Sequence, residues 1–266
     1  MAVTNIYLTA GIRENLFSLQ KTEDQMEITQ TRLATGLKVN SALDDPIAFF
    51  AAQGHRQRAA DLSALKDGMN EAIQTVKAAD IGIEGLIDLV AQIKSLVTAY
   101  QTADAAGQAE LDAQYAELLT QMTRMAADAN YKGTNLLDAA DSLVVTFDEA
   151  GDSTLTIAGI DVTNTTLAID ALTLSDAAAS NTALDAALST LRTAAQTLSS
   201  NLAVVTTRLD FTQNMINTLS TGADNLTLAD MNEESANMLM LQTRQALGTT
   251  SLGMASDAAQ AILRLF

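Results

Sequence analysis

The chain of 266 residues has no cysteine, no tryptophan, a single proline and a single histidine, and only 4% of its residues are aromatic. Each shortage removes a class of protein. Without cysteine neither a disulfide framework nor a thiolate metal site can form, so life outside a cell would rest on packing or assembly alone. The lone His55, in "GHRQR", has no second histidine with which to complete a metal site and reads as a surface residue. Long uncharged apolar runs are missing as well. Arg13 and Glu14 fall where a secretory signal needs its apolar stretch, and no later segment reaches the roughly 18 residues of a membrane span, so no membrane partner is expected. Basic charge is scarce, with 15 Lys and Arg against 32 Asp and Glu, a net charge of −17. The acid is concentrated in residues 101–220, whereas residues 1–40 balance to zero. Nucleic acid would be repelled by the middle and would find no basic patch at the ends.

What is present is 48% hydrophobic, and almost all of it is Ala, Leu, Ile, Val and Met, a mixture suited to packing helix on helix. Spacing agrees. Leu184, Leu188, Leu191, Ala195, Leu198, Leu202, Val205, Leu209, Thr212, Ile216 and Leu219 follow alternating steps of four and three, a coiled-coil seam. Shorter seams run Leu111, Tyr115, Leu118, Met122, Met125, Ala129, and Ala79, Gly82, Leu86, Leu89, Ile93, Leu96, Tyr100. Such stripes serve equally as the ordinary core of a helical bundle and require no cofactor.

The ends carry a different signal. The four-three steps pick out Ile12, Leu16, Leu19, Met26, Leu33 and Leu37, interrupted by Glu23 and Gln30. Near the other end, Met238, Leu241, Leu252 and Ile262 lie on one stripe with Phe266, while Leu247, Met254 and Leu265 lie on an adjacent one. A helix apolar over so much of its surface should be buried, and chain ends usually fray. Other copies of the same chain would resolve the conflict, which makes these fourteen residues the candidate polymerisation interface.

Residues 143–174 abandon the helical period. Leu143, Val145 and Phe147, then Leu155 and Ile157, then Ile160 and Val162 alternate with polar residues between Gly-containing turns, the mark of a small β insert. The expected fold is mainly α: a long antiparallel helical, coiled-coil rod with both termini at one end and the β insert at the other.

Three segments carry a family resemblance. "RLATGLKVNSALDD" at Arg32–Asp45, "YKGTNLLD" at Tyr131–Asp138 and "ESANMLMLQTRQALGTTSLGMASDAAQAILRLF" at Glu234–Phe266 closely resemble, in order, the recurring signatures of bacterial flagellins. The similarity covers both ends of the chain and spares the middle, where that family varies. It implies a filament subunit exported unfolded through the flagellar type III apparatus, with an export chaperone, and polymerised beneath a filament cap on a hook-associated junction protein, giving an extracellular, secreted homopolymer for motility. It also implies three domains. Residues 1–40 with 225–266 would form an inner terminal-helix coiled coil, residues 41–142 with 175–224 an outer helical domain, and residues 143–174 a surface insert.

By the same resemblance Asn40, Asp44, Asp45 and Pro46 form the inter-domain connector. Pro46 prevents a helix from passing through, and either aspartate is able to cap the helix that Pro46 opens. The usual pattern continues with small residues and a glycine, whereas here it reads "PIAFF". Many flagellins carry a Gln-Arg pair that the animal flagellin receptor engages; Asp88 and Leu89 occupy that place, which implies weak activation. Thr163, Thr165 and Thr166 in the polar tip are candidate O-glycosylation sites. No catalytic constellation, His-Glu-x-x-His motif or calcium loop occurs, so neither an enzyme nor a metal or cofactor is expected. The methionines at helical spacing read as gap fillers. The hook-filament junction protein is the alternative reading, since it shares such ends; a helical type III translocator would need a membrane-inserting segment that this sequence does not show.

Overall fold

The computed structural model describes residues 10–263, which hold five helices and one hairpin. In chain order these are α1 (Ala10–Thr35), α2 (Pro46–Tyr100), α3 (Ala105–Asp128), β1 (Ser142–Thr146), β2 (Thr154–Ala158), α4 (Ala177–Thr227) and α5 (Met231–Leu263). Part of the acidic excess has a local use. Asp45, Asp104, Asp176 and Asp230 each stand just before a helix and accept from its first free amides, as when Asp104 Oδ1 takes Gly107 N–H at 2.9 Å. Each such cap is worth about 1 kcal/mol.

The chain divides into two compact units, residues 57–218 and the described parts of residues 1–56 with 219–266. In the first, α2 and α4 run antiparallel. Lys66 Nζ donates to Gln213 Oε1 at 2.9 Å, and further along Lys94 Nζ donates to Asp185 Oδ1 at 2.6 Å. The expected seams face inward: Ala79, Leu86 and Ile93 of α2, Tyr115 and Met122 of α3, and Leu184, Leu191, Leu198 and Val205 of α4 share one buried core. The hairpin closes over it. β1 pairs antiparallel with β2, Leu143 opposite Ile157 and Val145 opposite Leu155, so Val145 and Ile157 point into the core while Val144 stays exposed.

Ile160 and Val162 do not form the further strand that their alternation suggests. The Asp161 carboxylate instead accepts Thr163 N–H at 2.9 Å and the Thr166 hydroxyl at 2.7 Å, turning the chain locally. Val162, Leu167 and Ile169 are still buried from these turns. Tyr115 on α3 donates its hydroxyl to the Ile169 carbonyl and fastens the segment down. Thr163, Thr165 and Thr166 are exposed there, with their hydroxyls engaged by Thr166, Asp170 and Asp161 respectively.

Candidate assembly surface

The second unit is built on α1 and α5, which come from opposite ends of the sequence and pair antiparallel. Three contacts set the register: Asn15 Nδ2 donates to Ser251 Oγ at 3.0 Å, Leu19 lies against Gly248, and Arg32 Nη1 meets Glu234 Oε1 at 2.9 Å. At Gly248 a methyl group would stand 2.6 Å from Leu19 Cδ2, so any larger residue here requires the Leu19 side chain to shift.

The seam of this pair is more polar than the spacing on α1 suggests. Thr22 and Thr29 are buried, whereas Glu23 and Gln30, which the four-three steps place on the seam, are exposed. The inward stripe is turned by one residue, passing through Leu19, Thr22, Met26, Thr29 and Leu33. Thr22 tolerates burial because its hydroxyl donates at 2.8 Å to the carbonyl of Ser18 on its own helix. Glu234 is buried and is paired there with Arg32.

Among the proposed interface residues, Ile12, Leu19, Met26, Leu33, Leu37, Met238 and Leu252 are half-buried, and Leu241 is buried. Leu16, Leu247 and Met254 are 42%, 66% and 69% exposed. Ile262 belongs to α5, but its side chain lies outside the described residues, as do Leu265 and Phe266.

After α1 the chain turns at Gly36, whose φ of 73° suits glycine and whose N–H closes on the Arg32 carbonyl at 2.8 Å. The next residues pair with the junction between α4 and α5. Lys38 N–H donates to the Thr227 carbonyl at 2.8 Å, Ala229 N–H donates to the Gly36 carbonyl at 2.9 Å, and Leu37 bridges Leu228. Arg56 of α2 adds a bond of 2.9 Å to the Thr227 hydroxyl. The two aspartates before Pro46 divide their work. Asp44 Oδ2 accepts the amides of Asn40 and Ser41 at 3.0 and 2.9 Å, and those bonds hold its carboxyl below the ordinary 3.8. Asp45 Oδ1 accepts Ile47 and Ala48 N–H, both at 3.0 Å, which caps α2 with Pro46 in its first turn.

No group of side chains able to hold a metal occurs among the described residues, and no described helix is long and apolar enough to cross a membrane. Around this polar seam Phe17, Ile28, Leu239, Met240, Leu247 and Met254 are exposed by 46–72%. The Arg32–Glu234 pair, the Gly248 contact and the Lys38–Thr227 bond each join residues some two hundred positions apart, and no local pattern announces them.

Comparison with known proteins gives this surface its context. Residues 12–142 match the description "Bacterial flagellin N-terminal helical region". The chain is 28% identical over 278 residues to Flagellin FljK of Caulobacter vibrioides, spanning 100% of both. It is 31% identical to Flagellin FljJ of the same organism, over 94% of each chain. Among solved structures, the crystal structure of a Bacillus cereus flagellin aligns with a TM-score of 0.48 and 22% identity, covering 55% of this chain and 88% of that one. With an identity of 31% sustained over nearly the whole of both chains, this chain belongs to the flagellin family.

Proposed function

We propose that this chain is the structural subunit of a bacterial flagellar filament, exported by the flagellar type III apparatus with a chaperone and self-polymerising through α1 and α5 into an extracellular propeller. In this reading residues 1–40 with 225–266 form the inner coiled-coil domain, residues 41–142 with 175–224 the outer helical domain, and residues 143–174 the surface insert. Asn40, Asp44, Asp45 and Pro46 connect the first two. The filament cap and the hook-associated junction protein bound the growing polymer.

One observation carries the reading. Among the described residues, the unit containing α1 and α5 holds 12 of the 16 large apolar side chains that are exposed, yet only 5 of the 35 apolar residues that are buried. Exposed apolar surface concentrated in one unit marks an interaction site. Family membership supports identical subunits as the partner.

The test is assembly. Purified chain is mixed with short filament seeds and viewed by electron microscopy, with and without deletion of Ser235–Phe266. Long filaments from the intact chain alone are expected. An intact chain that stays monomeric sinks the proposal, and one that only decorates seed ends replaces it with the junction-protein reading.

A further inference from the structure

A groove follows one side of the α1–α5 seam, with room for about 570 Å³ between Asn15, Lys21, Gln25, Arg244 and Ser251. It continues past Arg244 towards Met240 and the Arg32–Glu234 pair. Along the stretch from Asn15 to Gln25 its lining has two cations, Lys21 and Arg244, and no carboxylate. Neither cation is in an ion pair among the described residues. Met240, Leu247 and Met254 follow one another at steps of seven, so they form one stripe on α5, and all three are exposed. Met240 and Leu247 line the groove.

The other side of α1 has the opposite character. At about 100° per residue, Leu16, Glu23 and Glu27 share a stripe turned away from Ser18, Lys21 and Gln25. All three are exposed, and neither glutamate is in an ion pair among the described residues. Between Asn15 and Gln25 the pair of helices is therefore cationic with an apolar rim on one flank, where exposed Glu14 stands just beyond the groove, and anionic with an apolar residue on the other.

We infer that the groove between Lys21 and Arg244 receives the Leu16–Glu23–Glu27 flank of α1 from a second copy of this chain, the two glutamates meeting the two cations while Leu16 meets the apolar rim. The inference rests on the proposed filament function and names the contact within it. Because donor and acceptor surfaces lie on different sides of the same helix pair, the contact is heterologous. It leaves one groove and one flank free after every addition, so it propagates instead of closing a dimer. Like-charged flanks repel in the reverse arrangement, which fixes the order in which copies add.

Charge reversal tests it. The groove variant carries Lys21→Glu and Arg244→Glu, and the flank variant carries Glu23→Lys and Glu27→Lys. Critical concentration is measured by sedimentation of seeded polymer, and helix content by circular dichroism. Each variant alone is expected to raise the critical concentration about tenfold, the scale of two exposed ion pairs. An equimolar mixture restores it, because each variant's groove then matches the other's flank, and a chain bearing all four changes restores it as well. Variants that polymerise like the wild type, or folded variants whose mixture shows no recovery, overturn the contact while leaving the filament reading standing. A wild-type chain that fails to polymerise removes the filament reading itself, and the contact with it. Should a reversal lower helix content, the neutral sets Lys21→Gln with Arg244→Gln and Glu23→Gln with Glu27→Gln are read instead. No rise in critical concentration for either set overturns the contact.

Discussion

Tyr115 is anchored by a phenol that is a donor only while it is protonated. Burial, helped by the charge of Asp170, pushes its pKa from 10.0 up to about 12. In the unfolded chain the same group ionises near 10. Between those values the unfolded state binds fewer protons, so stability falls as pH rises through the window and is complete below it. Urea midpoints at pH 9 and pH 11 are therefore expected to differ more for the wild type than for Tyr115→Phe. Equal pH dependence in the two proteins would show that the hydroxyl is not held neutral. The signal for this bond was partly legible, since Tyr115 lies on the expected α3 seam, but its acceptor at Ile169 sits in a segment whose alternation suggested a strand.

At the scale of elements, the pairing of α1 with α5 depends on a glycine that no periodicity distinguishes. Gly248→Val is expected to weaken this pair by about 1–3 kcal/mol, because Leu19 has to move to admit the new side chain. Gly253→Ala, on the same helix with open space around it, is expected to stabilise it by up to about 1 kcal/mol through helix propensity alone. Thermal denaturation of both variants checks the contrast, and equal shifts would mean that the close approach at Leu19 is not made. Long seams were readable because leucines at four-three spacing have one side to bury. The seam of α1 was misread by one residue because threonine, satisfied by its own helix, is buried there in place of glutamate. For α5 the apolar residues run nearly all the way round, so spacing alone does not say which of them face α1 and which are left to a partner.

The whole molecule distributes its stabilisation unevenly. The unit formed by residues 57–218 has the large continuous core, whereas the unit of α1 and α5 is held by a narrow, partly polar seam with few buried apolar residues. Local opening follows burial. Amide exchange in the unpolymerised chain is therefore expected to be faster by orders of magnitude in Leu16–Thr35 and Met231–Leu252 than in Met69–Val97, with the difference shrinking in the filament. Uniform protection in the free chain would contradict this division of stability.

The stripe that rims the groove has a chemical consequence of its own. Met240 and Met254 are 46% and 69% exposed, so in the unassembled chain their thioethers are open to peroxide. Oxidation to the sulfoxide would replace an adaptable apolar side chain with a polar, chiral one on the surface proposed to meet a neighbour. A chain without cysteine has no thiol at which to take such damage first. Under the proposed filament function, its sensitivity to oxidants is expected to fall on the interval between synthesis and incorporation, with copies packed against a neighbour shielded.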